Sequence, residues 1–309
     1  MSVFTPLDQD TLLELCSEFG VQANRTRPIS EGVENSNWYV SAGQTEYVLT
    51  LFEQRSLKDV RVLCQLLEAL DEAAIPVALP LMHELDARCA VYIDKPMVLS
   101  PRLPGSSPTS ITPAVCQIMG SVLAKLHSAM QQLPSKTFAL QSYDAESARD
   151  RLLPSLPLEH KKALYATWQR HAKFKNKLPK GLIHGDLFSD NTLWEGGNLT
   201  GLLDFTETSY DDLLMDLCIT GNDFCRQFDG SFDSSLWGHL LSGYESVREL
   251  FDIEIEAINP YLAMAAARFW MMRLEREVDQ SEQLPEVITE LKPSSVMRDL
   301  CLEHLSHSA

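Results

Sequence analysis

The chain has 309 residues, 45% of them apolar and 22% charged, with 26 basic residues against 43 acidic ones for a formal net charge of −17. This is the composition of a globular protein rather than a disordered or fibrous one, and it is long enough for about two domains or one large two-lobed unit. A chain this acidic, with no dense Lys/Arg run, argues against a nucleic-acid partner, because phosphate backbones demand a clustered basic surface.

The start MSVFTPLDQDTLLELC carries acids where an export leader needs a basic and then an apolar stretch, so no export is expected. Seven scattered cysteines (16, 64, 89, 116, 218, 225 and 301) include no C-x-x-C pair and read as reduced thiols of a cytoplasmic protein. The segment NWYVSAGQTEYVLTLF predicts strands over 37–41 and 46–52 around a turn at Ala42-Gly43-Gln44. Leu57, Val60, Leu63, Leu67 and Leu70 then recur at helical spacing and predict a helix over 57–73. Short apolar runs at 77–82, 89–93 and 96–99 suit further strands. SPRLPGSSPTSITP, with four prolines, cannot extend a helix and suits a connection between lobes, which predicts a first lobe over 1–99 and a second over 100–309.

Thr112 before Pro113 is a helix start, a capping hydroxyl followed by a first-turn proline. Val115, Ile118, Met119, Val122, Leu123 and Leu126 form the expected buried stripe. The pattern stays helical to about 178. GLIHGDLF and TLWEGGNLTGLLDF then return to short strands about Gly196-Gly197, and the remainder is helical. The most apolar long segment, Tyr261 to Met272, is interrupted by Arg268 and is shorter than the ~20 residues of a bilayer span, so no membrane partner is expected.

Chemistry concentrates in LIHGDLFSDNTLWEGGNLTGLLDF, where His184, Asp186 and Asn191 form H-x-D-x-x-x-x-N and Asp204 follows beyond the glycine turn. Phosphoryl transfer needs a carboxylate that receives or orients the attacking hydroxyl, and oxygen ligands that hold Mg²⁺ against nucleotide phosphates. Asp186 is the candidate for the first function, and Asn191 and Asp204 for the second. An isolated H-x-D is ordinarily a turn aspartate bonded to its own backbone. The joint spacing and the LLDF ending match the catalytic and metal loops of kinases. His184 in such a loop orients backbone. The pair His304/His307 has metal-like spacing but no third ligand nearby, and is not read as a metal site.

At these residues the chain resembles the aminoglycoside phosphotransferase and choline kinase superfamily, whose loop reads H-G-D-x-x-x-x-N followed by an I/L-D-F metal site. The resemblance implies an α+β, bilobal, protein-kinase-like fold with a strand-rich N-terminal lobe and a larger helical C-terminal lobe, using ATP and Mg²⁺. A narrower resemblance, carried by GVENSNWYV, YVLTLFE, DLCITGNDFC and ARFWMMRL, is to the homoserine kinases of that superfamily. It implies transfer of the γ-phosphate of ATP to the side-chain hydroxyl of L-homoserine, a step toward threonine. Another kinase of the superfamily with a choline, sugar or aminoglycoside acceptor is the alternative, and a nucleotide-binding pseudokinase the less favoured one.

Members of the superfamily usually place Lys or Arg on the third strand and Glu on the next helix, whereas this chain offers Thr50 and Cys64. Arg55, Lys58 or loop backbone are the substitutes for the phosphate contact. The segment SEGVENSN (30–37) sits where kinases lay a loop over the nucleotide phosphates, with Gly32 its one glycine; Asn35 and Asn37 contact phosphate or substrate, or shape the turn. By the resemblance, Ser100 to Leu103 meet the adenine edge and Asp216 braces the catalytic loop. A zwitterionic acceptor wants an Arg fork and carboxylate or amide oxygens. Arg268 and Arg273 about Trp270 are candidates for the first, and Glu207, Asn222 and Asp223 for the second.

Overall fold

The computed structural model describes residues 5–29, 35–83, 87–140, 143–282 and 292–306, without the side chains of 280–282. Gly32 and most of the loop around it lie outside the described residues, as does His307. The chain divides into two compact units, one holding the residues up to Gly105 with 200–203, the other holding most of the rest.

The first unit opens with α1 (Gln9–Ser17), capped by the Asp8 carboxylate, which accepts from the Thr11 N–H at 2.8 Å. A five-stranded antiparallel sheet follows, in the order β1 (Arg25–Pro28), β2 (Asn35–Ala42), β3 (Thr45–Phe52), β5 (Lys95–Pro101), β4 (Ala90–Tyr92). Its strands alternate as a half-buried sheet requires: Ser36, Trp38 and Val40 of β2 are buried, and the residues between them are half-buried. Trp38, Val40, Leu49, Leu51, Met97 and Leu99 pack with Leu12, Leu15, Cys16 and Phe19 of α1 and its C-terminal turn into one core. α2 (Leu57–Glu72), capped by Ser56, meets β5 and buries Val60, Leu63, Cys64, Leu66 and Leu70.

Two expectations shift here. Residues 77–82 do not form a strand; between Pro76 and Pro80 the chain makes only an isolated bridge at Val77, because each proline removes a ladder donor. Ser100 lies inside β5, paired with Val48, so the strand outlasts its expected end at 99 and only Leu103 belongs to the connection. The helix α1 carries no expectation from the sequence, whereas β1 is the strand expected ahead of the 30–37 loop.

In the second unit α3 (Pro113–Met130) begins at Thr112 as expected, its hydroxyl accepting from the Val115 N–H at 3.3 Å. The buried stripe is rotated from the expected one. Cys116, Met119, Gly120, Leu123, Ala124 and His127 are buried, while Val115, Ile118 and Val122 are only half-buried. The reason is α8, against which α3 packs backbone to backbone: a Cβ on Gly120 would strike the Leu240 carbonyl, and one on Gly243 would strike that of Gln117. Small residues, rather than the largest apolar ones, mark this seam.

Short helices α4 (Ser135–Phe138) and α5 (Ala145–Leu152) lead to α6 (Leu158–Ala172). The strand β6 (Lys180–Ile183) precedes the His184–Asn191 loop, and the hairpin β7 (Thr192–Glu195), β8 (Asn198–Leu202) turns through Gly196 and Gly197, both at positive φ. β9 (Ser209–Asp212) then pairs antiparallel with β6. The helices α7 (Leu213–Phe224), α8 (Ser234–Glu245), the 31-residue α9 (Asp252–Glu282) and α10 (Ser294–Ser306) complete the unit, with α9 against α5, α6, α7 and α10. Among the described residues no helix is long and apolar enough to cross a membrane.

Candidate active site

The β6–β9 register gathers the site. Ile183 at the end of β6 pairs with Ser209 at the start of β9, so the residues that follow β6 and those that precede β9 leave the ladder at the same end. The first stretch is His184-Gly185-Asp186 and the second Asp204 to Thr208. Two contacts pin them together. The His184 ring lies 4.5 Å from that of Phe205, and Gly185, at φ +82°, approaches the Glu207 carbonyl so closely that a Cβ would stand 2.5 Å from it. Glycine is required on both counts.

Asp216, fully buried on α7, holds the loop from behind. Its carboxylate accepts from the His184 N–H at 2.8 Å, the Gly185 N–H at 2.9 Å and the His127 Nε2 at 3.0 Å. Burial alone would raise its pKa; the hydrogen bond and charge of His127, with His184 and the Gly185 N–H, outweigh that and hold it below the ordinary value. His127 in turn bonds the Tyr244 hydroxyl at 2.8 Å. Asp186 therefore stands on a loop whose two preceding amides are fixed by a buried anion. Its own N–H donates to His184 Nδ1 at 3.3 Å, and His184, with no exposed surface, works through the backbone.

The donor set suits a hard divalent cation. Asn191 gives its amide N–H to the Asp186 carbonyl at 2.8 Å and carboxylate at 3.2 Å. An amide held by its nitrogen presents its oxygen, the atom that ligates Mg²⁺. Asp204, exposed and in the left-handed region at φ +56°, accepts from the Thr206 N–H and hydroxyl through Oδ1, which leaves Oδ2 available to a cation. The Asn191 amide oxygen beside Asp186 and the Asp204 carboxylate oxygen are hard donors of the kind a magnesium-bound nucleotide takes.

The acceptor candidates separate. Asn222 is buried, its Nδ2 donating to the Leu262 carbonyl at 2.9 Å and its Oδ1 bonded to His304 Nε2 at 2.8 Å, so its amide is consumed in the core. Trp270 is 2% exposed and stacks edge-on with His160. Both are corrected to core residues. Asp223 has both oxygens engaged, by the Ser189 N–H at 2.7 Å and Arg226 Nη2 at 3.2 Å, and so fixes the downstream half of the loop. Arg273 lies over the Phe188 ring at 5.8 Å; burial draws its pKa down while Asp223, Asp186 and Asp190 pull it up. Glu207 accepts from the Tyr143 N–H at 3.2 Å and faces Arg268 at 3.6 Å.

In the first unit Thr50 donates to Asn37 Oδ1 at 2.7 Å, and Asn37 Nδ2 donates to the Asn35 carbonyl at 3.3 Å. A neutral hydrogen-bonded pair thus occupies the strand position where a lysine was looked for. The sequence reading missed Arg226, which lies just past the end of α7 in an isolated bridge with Phe232 and pairs back to Asp223 three residues before it. It also missed His127, which nothing local distinguishes from a core residue.

A model of the phosphotransferase enzyme family matches residues 25–250. Curated homoserine kinases are similar over most of the chain: that of Pseudomonas aeruginosa is 35% identical over 282 residues, 89% of this chain and 88% of the relative, and that of Gluconobacter oxydans is 33% identical over 89% and 90%. Among solved structures, an amicoumacin kinase in complex with AMP-PNP and Ca²⁺ superposes with a TM-score of 0.75 at 16% identity, over 98% of this chain and 94% of that one. A microcompartment-associated aminopropanol kinase gives 0.71 at 16% identity, over 96% and 95%. These likenesses carry the kinase-like fold.

Proposed function

The chain belongs to the phosphotransferase enzyme family, and we propose that its reaction is the ATP-dependent phosphorylation of the side-chain hydroxyl of L-homoserine to O-phospho-L-homoserine. Asp186 accepts the hydroxyl proton as the oxygen attacks the γ-phosphorus in line, and the bond to the ADP oxygen breaks. Asn191 and Asp204 would hold Mg²⁺, which would supply charge stabilisation to the phosphates. Asp216, His184 and Asp223 keep the loop in place. Asn35, with Gly32, Ser100 and Leu103, remains the candidate for the nucleotide side, and Asn37 for the acceptor. The seven cysteines are all buried and free, which suits the reducing cytoplasm where we place the reaction.

One observation favours an amino-acid acceptor over an aminoglycoside: Arg273 and Arg226 flank Asp223 beside the catalytic loop. A guanidinium pair recognises a carboxylate and repels a polycation. A coupled ADP-release screen with Mg²⁺-ATP against homoserine, serine, choline, methylthioribose and kanamycin tests the assignment. Turnover should be strongest on homoserine, and Arg273→Ala should raise its KM. Preference for kanamycin or choline would replace the acceptor, and ATP binding with no turnover on any of them would point to a pseudokinase.

A further inference from the structure

The buried carboxylate behind the catalytic loop is the inner end of a hydrogen-bonded chain that runs to the α8–α9 corner. His127 Nε2 lies 3.0 Å from Asp216, and Nδ1 of the same ring meets the Tyr244 hydroxyl at 2.8 Å. Tyr244 is fully buried on α8, and it reaches His127 on α3 because Gly120 and Gly243 let the two backbones meet. Arg248 Nη1 approaches the Tyr244 hydroxyl at 3.4 Å, with the guanidinium 5.7 Å from the ring centre. Glu254, in the first turn of α9 and without exposed surface, ends the chain. Its two oxygens accept from Arg248 Nη2 at 3.0 and 3.1 Å, and one of them also accepts the Phe251 N–H at 3.1 Å.

The donors and acceptors along this chain admit one arrangement of protons. A guanidinium only donates, so the Tyr244 oxygen accepts from Arg248, and the hydroxyl proton has a single acceptor among the described residues, His127 Nδ1. Burial keeps the phenol protonated, its pKa raised above the ordinary value. The Asp216 carboxylate accepts only, so the other ring nitrogen, Nε2, carries the histidine proton. In the opposite tautomer a ring lone pair would face that carboxylate. We infer that Tyr244 is a positioning residue for phosphoryl transfer: its hydroxyl, oriented by the Arg248–Glu254 pair, fixes the His127 tautomer, and through Asp216 the His184 and Gly185 amides ahead of Asp186. The catalytic loop is thereby tied to the α8–α9 corner as well as to α7. The inference rests on phosphoryl transfer at Asp186 and not on which hydroxyl accepts the phosphate.

Steady-state kinetics and nitrogen NMR of the full chain with isotope-labelled histidine test it, the His127 signals being assigned by their absence in His127→Gln. In the wild type Nε2 should be protonated and Nδ1 bare. Tyr244→Phe removes only the hydroxyl and leaves Nδ1 buried without a partner; it should change the His127 signature and lower kcat about tenfold, with KM for ATP and acceptor unchanged. Arg248→Met should lower kcat about threefold, and the double variant no further than Tyr244→Phe alone, because the two act in series. Leu240→Val, a buried change on α8 away from the chain, should lower Tm and keep kcat, so that loss of stability by itself does not mimic the effect. A wild-type His127 protonated on both nitrogens or on Nδ1 alone, a Tyr244→Phe kcat within about twofold of wild type, or additive losses in the double variant would each overturn the inference. If the wild type turned over no acceptor, the phosphotransfer reading would fall, and the histidine signature would still decide whether the chain fixes the tautomer.

Discussion

Replacing Asp216 with Asn keeps the shape of the side chain and removes its charge. The carboxylate serves three donors, two of them backbone N–H groups of the catalytic loop. An amide has one acceptor oxygen, so at least one loop N–H meets an NH₂ instead. Losing one charge-assisted hydrogen bond costs about 1.5–3 kcal/mol, and an unpaired buried N–H about 1–3; together these give roughly 3–5 kcal/mol, the usual cost of breaking a buried ionic cluster. At about 2–4 °C per kcal/mol for a unit of this size, Tm should fall by roughly 10 °C. The loop displacement should also lower kcat by about 10²-fold, since a shift of ~1 Å at reacting atoms has that effect. The pH dependence is specific. A carboxyl whose pKa is lower folded than unfolded stabilises the protein above its ordinary value of 3.8, and that stability is lost as pH falls through the lower folded value. The gap between wild type and variant should therefore be full at neutral pH and shrink only below about 3.8. Thermal denaturation across pH, with steady-state kinetics at neutral pH, measures both. A variant within ~1 kcal/mol of wild type, or a gap constant down to pH ~2, would refute the bracing role.

Other outcomes follow from the same geometry. Gly120→Ala drives a Cβ into the Leu240 backbone at the α3–α8 seam and should destabilise by several kcal/mol, whereas Gly238→Ala on α8, which meets nothing within 4 Å, should stabilise by up to about 1 kcal/mol; comparable Tm values would contradict the backbone contact. Asp211→Asn should raise stability at neutral pH, because burial raises that carboxyl's pKa and its ionised form disfavours the folded state; the gain should disappear below about pH 3.8, and a loss of stability at pH 7 would be the contrary result. Asp204→Ala should weaken Mg²⁺-nucleotide binding in a titration while leaving nucleotide binding without the metal nearly unchanged, and equal affinity in both cases would remove it from the ligand set.

Much of this was legible in the residue order. The strands about Gly43, the helix from Leu57 and the Thr112-Pro113 start carry local signals, turn residue, period and cap, that packing did not override. Asp186, Asn191 and Asp204 stand out in the sequence because the chemistry proposed for them fixes their spacing. What failed depended on distance in sequence. The face of α3 turns toward α8 because Gly120 and Gly243 allow backbones to meet, and neither glycine announces its partner 120 residues away. Asn222 and Trp270 read as acceptor contacts because they neighbour charged residues in sequence; in space His304, Leu262 and His160 claim them. Arg268 and Arg273 were candidates for one fork although five residues on a helix do not bring them to one face, and the structure sets Arg268 by Glu207 and Arg273 over Phe188.

The measurement that reaches furthest is a single-turnover experiment with γ-labelled ATP, Mg²⁺ and excess homoserine, comparing wild type with Asp186→Asn. The wild type should deliver label to O-phosphohomoserine in one exponential phase, and the variant should do so at least ~10²-fold more slowly with nucleotide affinity kept, the mark of a lost proton acceptor. Transfer by the variant within a few-fold of wild type, or label appearing only in inorganic phosphate with both proteins, would contradict the account.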